Sequence, residues 1–305
     1  MIKSIGAAQH HPTNRTLSDF HRYWADNHGP FYANTKNLRR YVQHLTLPEA
    51  YGIDPQPTFD GVSMFWHDDL PSYLAQSSDP EDVALHRAVV DDDAQLFDRT
   101  HSWPTHHKQA NVVAEERVIF DGETSPDMVK GIFIASKVSG LTFAEFFDHW
   151  QNVHGPLGAK VPGLRRYVQN HAIPEAYAGG RQTHDGWSET WFDDLAALHR
   201  AVKSPEWQAL RDDAVGLFSR SGGCVVARER IQKDFDWTYK DWGVGALDED
   251  AIRQRLKDNH YAALAEDPDA PGKIKKAASN EALAIWTDKH LVTIDESLID
   301  ARPDR

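Results

Sequence analysis

The sequence predicts an α+β fold built from two tandem βαββαβ units whose sheets face each other. Three observations predict it. A long motif occurs twice in the same register. Around each copy the strand and helix patterns run β, α, β, β, α, β, the split βαβ or ferredoxin-like plan. A four-stranded sheet with helices on one face leaves its other face bare, and a second unit in the same chain can cover it. The expected product is a pseudo-twofold, intramolecular barrel.

The repeated motif is F-x-x-x-W-x-x-x-H-G-P, then L-R-R-Y-V-Q, then P-E-A-Y. Its first copy places Phe20, Trp24, His28, Gly29 and Pro30, the run Leu38 to Gln43, and Pro48 to Tyr51. The second places Phe146, Trp150, His154, Gly155 and Pro156, the run Leu164 to Gln169, and Pro174 to Tyr177, each 126 positions on. Rare residues such as Trp and His do not keep register over that distance by chance. The chain is internally duplicated.

Each unit opens on a strand, Ile2 to Ala8 and Val129 to Val138. Ser18 is read as the N-cap of the first helix. Thr142 caps its counterpart, with Glu145 as capping-box partner. Phe, Trp and His at i, i+4 and i+8 stay within one stripe of roughly 100°. The His thus ends the buried face, and the Gly-Pro after it is expected to stop the helix.

The next strands are Leu38 to Thr46 and Leu164 to Ala172. Alternation puts Tyr41 and Gln43 on one face and Arg40, Val42 and His44 on the other. In the second copy His171 joins Tyr167 and Gln169, so His44 and His171 face opposite ways. Third strands follow at Val62 to His67 and Trp187 to Phe192. Helical regions follow at Pro80 to Phe97 and Leu195 to Phe218. Last strands run Val112 to Phe120 and Val225 to Gln232. The first unit carries a His-rich insertion, mostly Asp98 to Asn111. The expected domains are 1–122, 123–232 and a C-terminal extension, 233–305. Trp237, Tyr239, Trp242 and Trp286 are too apolar for a disordered tail, so the extension is expected to pack on the barrel.

Composition narrows the function. A length of 305 residues suits two domains of about 150 residues. The 40% apolar and 26% charged residues are ordinary for a soluble protein. No window approaches the roughly 18 apolar residues of a membrane span, and no signal peptide is expected. A single cysteine, Cys224, fits a reducing, cytoplasmic compartment. The net charge of −13 should repel nucleic acid and anionic membranes. The expected partner is a small-molecule substrate, and a homodimer of fused barrels is compatible with the fold.

His28 and His154 are the first candidate catalytic residues. A neutral imidazole at the end of a buried stripe can take and return a proton near pH 7. The ordinary alternative is a helix-end His satisfied by carbonyls or by the helix dipole. Tyr41 and Tyr167 follow thirteen positions later. A phenol can donate to a developing oxyanion, or simply be a satisfied core residue. Trp24, Trp150, Trp66 and Trp191, with His101 and His106 of the insertion, are candidates for substrate contacts. Arg39, Arg40, Arg165 and Arg166 at strand starts are more often solvated or ion-paired. No H-E-x-x-H, cysteine pair or C-x-x-C-H is present, so neither metal nor other cofactor is expected. G-x-G-x-x-G, P-loop and G-x-S-x-G motifs are also absent.

The helix ending F-x-x-x-W-x-x-x-H-G-P followed by L-R-R-Y-V-Q resembles the EthD domain of the dimeric α+β barrel superfamily. The resemblance covers about 1–120 and 128–232 and looks like a fused pair of domains that elsewhere dimerise. It implies the barrel fold. It implies the reaction only broadly, because relatives include cyclases, muconolactone-type isomerases, decarboxylases, cofactor-free monooxygenases and more distant haem enzymes. In similar isomerases the corresponding His and Tyr act on a lactone or enolate. The expected function is therefore a cofactor-independent lyase or isomerase using His acid–base chemistry on a small apolar or aromatic carbonyl, lactone or hydroxyl compound. The alternatives are a cofactor-free monooxygenase and a non-catalytic ligand-binding barrel. Divergence of the copies predicts two unequal pockets.

Overall fold

The structure, a computed structural model, describes residues 1–10, 16–52, 56–74, 80–97, 109–179, 182–219 and 223–235. The insertion histidines His101 and His106 lie outside the described residues, as does nearly all of the C-terminal extension.

Unit 1 begins with β1 (Ile2–Ala8) and α1 (Leu17–Tyr23). One π-helical turn (Trp24–His28) joins α1 to α2 (Gly29–Ala33). Strands β2 (Arg40–Thr46) and β3 (Gly61–His67), helices α3 (Leu70–Leu74) and α4 (Pro80–Leu96), and strand β4 (Gln109–Phe120) complete it. Unit 2 repeats the order with β5 (Val129–Ala135), α5 (Phe143–His149), a π turn (Trp150–His154), α6 (Gly155–Gly158) and β6 (Leu164–Ala172). It ends with β7 (Gly186–Phe192), α7 (Leu195–Ala201), α8 (Pro205–Ala214) and β8 (Cys224–Lys233). The predicted strands stand within a few residues of the observed ones. The helical region expected over Leu195 to Phe218 holds two helices, because Ser204 caps a new start with Pro205 in its first turn.

All eight strands close into one antiparallel barrel, ordered β1-β3-β2-β8-β5-β7-β6-β4. Two seams join the units, β2 with β8 and β4 with β6. Closure pairs strand edges that would otherwise be exposed. Among the described residues no helix is long and apolar enough to cross a membrane.

Alternation divides each strand between barrel interior and helix layer. Lys3, Ile5 and Ala7 of β1 pair with Trp66, Met64 and Val62 of β3 and point inward. Ile5, Val62, Met64, Val112, Ile132, Trp187 and Val225 form the apolar part of the interior. The rest is charged. Lys3 and Lys130 hold equivalent places on β1 and β5. The Lys3 ammonium lies 4.7 Å from the Trp66 ring centre, and that of Lys130 lies 4.1 Å from Trp191. Both lysines meet one carboxylate, Glu189, which occupies the place Met64 has in unit 1. Glu116 lies 3.0 Å from Lys3, and Glu229 lies 2.5 Å from Lys130. Burial alone would lower the Lys130 pKa and raise that of Glu189. Their attraction reverses both, raising Lys130 and holding Glu189 well below the carboxylate range.

Outside the barrel, Phe20, Tyr23, Trp24 and Leu96 seal the helix layer of unit 1, and Phe146, Trp150 and Leu217 that of unit 2. Thr142 makes the expected capping box with Glu145. In unit 1 the cap is Thr16 instead of Ser18. Thr16 is extended and accepts from the Asp19 backbone, whereas Ser18 already lies within the helix.

The Gly-Pro after each His does not stop the helix. Trp24 accepts from the Gly29 N–H five residues on, as Trp150 does from Gly155. The chain widens by one π turn and continues. Glycine permits close approach here. A Cβ on Gly29 would lie 2.7 Å from the Gln43 amide nitrogen, and one on Gly155 would lie 3.1 Å from that of Gln169. Pro30 has no N–H to give back to the preceding turn, and Gln232 donates to the Ala25 carbonyl at 2.7 Å instead.

Candidate active sites in the two helix layers

The π turn aims each His at the last turn of the long helix opposite. In unit 2 His154 donates from Nδ1 to Asp213 at 2.8 Å. His149, one turn earlier, holds the other oxygen of Asp213 at 2.9 Å. Burial keeps the His154 pKa below its ordinary value, and Asp213 opposes that shift. The Nδ1 bond fixes the tautomer, leaving Nε2 as the lone-pair nitrogen. No described residue partners Nε2, and Phe218 stands edge-on to the ring at 5.1 Å.

Unit 1 has the same frame with different contents. His28 donates from Nδ1 to Asp92 at 2.7 Å, and Tyr23 takes the place of His149 by donating to Asp92 at 3.1 Å. Here Nε2 is occupied too, since Asp93 lies 3.2 Å away. The counterpart of Asp93 in unit 2 is Ala214.

Tyr41 and Tyr167 stand on the helix side of their strands, each on the same face as its glutamine, as alternation predicts. Each accepts a hydrogen bond from the glutamine two residues on, at 2.9 Å from Gln43 and 3.0 Å from Gln169. Each glutamine also donates to the carbonyl of its π-turn tryptophan, at 2.9 Å for Trp24 and 2.7 Å for Trp150. Burial raises both phenols, Tyr167 up to about 12. Both stay protonated and serve as donors. In unit 1 the Tyr41 hydroxyl meets Ser63 at 3.3 Å. In unit 2 no described residue accepts the Tyr167 proton.

Trp24 and Trp150 line the helix layer as expected. Phe97 touches the rings of Phe20, Trp24 and His28, and Phe218 touches those of Phe146, Trp150 and His154. The stripe therefore survives the π turn. Trp66 and Trp191 do not join it. They face the barrel interior over Lys3 and Lys130, because their strand parity is opposite to that of the tyrosines. Arg39 and Arg165 pair with exposed Asp68 and Asp193, while Arg40 and Arg166 stack toward Trp66 and Trp191. Among the described residues no group of three His, Cys, Asp or Glu side chains is placed to hold a metal ion.

The partners Asp92, Asp213, Gln43 and Gln169 escape a reading of single motifs. One sequence signal does mark the carboxylates. D-x-x-x-L-F occurs at Asp92 to Phe97 and again at Asp213 to Phe218, spaced by 121 instead of 126.

The EthD domain model matches residues 13–100 and 139–221, more than half of the chain. Among solved structures, an EthD family protein from Bacillus halodurans C-125 is 26% identical, over 34% of this chain and 99% of its own, at a TM-score of 0.29. An anthrone oxidase-like protein is 11% identical over 77% of this chain and 94% of its own, at a TM-score of 0.47. A protein from Lactobacillus acidophilus NCFM, provisionally described as a monooxygenase, is 12% identical over 79% of this chain and 99% of its own, at 0.43. No curated protein matches. Similarity at these levels carries no argument about chemistry. The two matched segments each contain one copy of the His-Gly-Pro helix and its Tyr strand, and the chain belongs to the EthD domain family, with two tandem copies of the domain.

Proposed function

We propose that the chain is an enzyme whose working site is in unit 2, with His154 as general base and Tyr167 as hydrogen-bond donor. The substrate is a small, largely apolar carbonyl or hydroxyaromatic compound. One observation carries this reading: the His154 ring is anchored through Nδ1 to Asp213 while its Nε2 has no described partner. In the proposed step a C–H bond next to a carbonyl breaks and the proton moves to Nε2. The electron pair moves onto the carbonyl oxygen, where the Tyr167 O–H receives the charge. Asp213 stabilises the imidazolium that forms.

Return of the proton to a different carbon completes an isomerisation. Expulsion of a leaving group completes an elimination. Reaction of the same enolate with dioxygen as two-electron oxidant gives the oxygenase reading, which shares the first step. The test follows solvent deuterium entering a panel of enolisable ketones, including anthrone and 2-tetralone, with oxygen uptake recorded in parallel. The full chain should accelerate exchange, His154→Ala should abolish it, and His28→Ala should retain it. No acceleration across the panel, or equal loss in both variants, overturns the reading. Oxygen consumption matched to substrate would choose the oxygenase branch.

A further inference from the structure

The Tyr167 hydroxyl belongs to a chain of hydrogen bonds that begins at a histidine, which the corresponding chain of unit 1 lacks. His171, on the same strand face, donates from Nε2 to the Gln169 side-chain carbonyl at 3.0 Å. Gln169 then uses its amide nitrogen twice, toward Trp150 carbonyl at 2.7 Å and toward Tyr167 oxygen at 3.0 Å. Carbonyl acceptance at Trp150 requires the nitrogen there, so only one amide orientation satisfies all three partners. The His171 ring is clamped between Phe147, 4.6 Å away at an interplanar angle of 9°, and Trp150, 5.0 Å away at 20°. A clamped ring cannot turn its N–H elsewhere. The strand position of His171 is held by Leu45 in unit 1. There Gln43 is oriented instead by Gln232, which donates to it at 2.6 Å.

We infer that His171 and Gln169 are positioning residues that make Tyr167 an obligatory donor toward the His154 site. An amide N–H directed at the phenol oxygen occupies its acceptor side. The phenol proton must then point away from Gln169, where no described residue accepts it. Rotating the amide would reverse this, since its carbonyl would accept the phenol proton and remove the donor from the site. The Trp150 carbonyl opposes that rotation from the nitrogen side, and His171 adds to it by holding the amide carbonyl. The inference rests on the reading of unit 2 as the working site, but the orientation is measurable without any substrate.

The test is side-chain amide hydrogen exchange of Gln169 in the full-length protein, read by NMR. Gln43 serves as an internal control, because its amide is oriented without a histidine. In the unmodified chain both amides should be protected. His171→Leu, which copies unit 1, should release the Gln169 amide protons while Gln43 stays protected. His171→Gln supplies an N–H donor again and should restore protection. Unchanged Gln169 protection in His171→Leu overturns the inference, as does loss of Gln169 protection alone in His171→Gln. If His171→Leu releases both amides, the fold has been lost and His171→Gln decides the question. Where a ketone from the panel exchanges, His171→Leu should lower the maximal exchange rate about 10- to 100-fold with little change in half-saturation. Combined with Tyr167→Phe it should add nothing further, as for two residues acting through one group. Additive losses would count against the relay and leave the assignment of His154 standing. Loss of the base assignment would leave the Gln169 measurement intact.

Discussion

The two helix layers share one frame and differ in what fills it. In unit 1 the imidazole of His28 lies between Asp92 and Asp93, and the Tyr41 hydroxyl is engaged by Ser63. In unit 2 Ala214 replaces Asp93, and both His154 Nε2 and the Tyr167 proton are left without described partners. Under the proposed function, one frame serves as a closed brace in the first copy and as the reaction site in the second. On that reading, duplication supplies a copy that can be braced while the other keeps its reactive atoms open, since an unsatisfied buried group costs stability.

The largest expected effect separates the two histidines. His154→Ala should reduce catalysed proton exchange by about 10²- to 10⁴-fold, whereas His28→Ala should lower thermal stability far more than turnover. Equal kinetic losses would break the comparison. Next in size is the barrel interior. Glu189→Met, copying Met64, strands Lys3 and Lys130 without their shared counter-ion and should cost about 3–5 kcal/mol in denaturant titration. Near-neutral stability would show that Glu116 and Glu229 suffice.

A third experiment converts one site into the other. Ala214→Asp places a carboxylate beside Nε2, stabilises the imidazolium and raises the His154 pKa. Exchange at pH 7 should fall roughly tenfold, with activity recovering toward alkaline pH. An unshifted pH profile would show that residue 214 does not face the ring.

Acid stability supplies a fourth. Burial takes His171 down to about 4, with Arg117 adding to the shift. The folded state therefore binds fewer protons than the unfolded chain between about pH 6.5 and 4. Stability should fall as pH drops through that window, by on the order of 1 kcal/mol per pH unit from this residue. His171→Leu should flatten the limb, and an unchanged slope would assign it to other buried histidines such as His44 and His67, whose pKa values burial also lowers. The smallest effect is local. Thr142→Ala removes a complete capping box and should cost about 1 kcal/mol, more than Thr16→Ala.

The architecture was legible because it rests on patterns the chain states twice. Trp and His in register announced the duplication, and period-two alternation put Tyr41 and Gln43 on one face and His44 on the other, though not which face meets the helices. The π turns were not legible. Residues spaced by four fit an α-helix, and what widens the turn is a glutamine many residues later reaching past a glycine. The partners Asp92 and Asp213 were hidden for a related reason. The long helices have drifted by five positions relative to the motif, so a fixed-offset comparison passes them by. The sheet face of Trp66 and Trp191, candidates for substrate contacts, was not legible, because aromatic content says nothing of which face it occupies. Their side follows only from pairing with Lys3 and Lys130.

The shared carboxylate in the barrel has an evolutionary consequence. Two copies of unit 1 would bring two Lys3 side chains together beside two Met64 residues, each Lys3 keeping Glu116 but no shared carboxylate. Two copies of unit 2 would bring two Glu189 carboxylates together around two Lys130 residues. A barrel rebuilt from either half alone would carry a core charge pattern different from this one. The halves have therefore ceased to be interchangeable. A recombination event between the two motif copies, easy at the level of their similar sequence, would leave a lone half whose own twin is the wrong complement. Glu189 is in this sense a feature of the unlike pair, one carboxylate from one half answering a lysine from each.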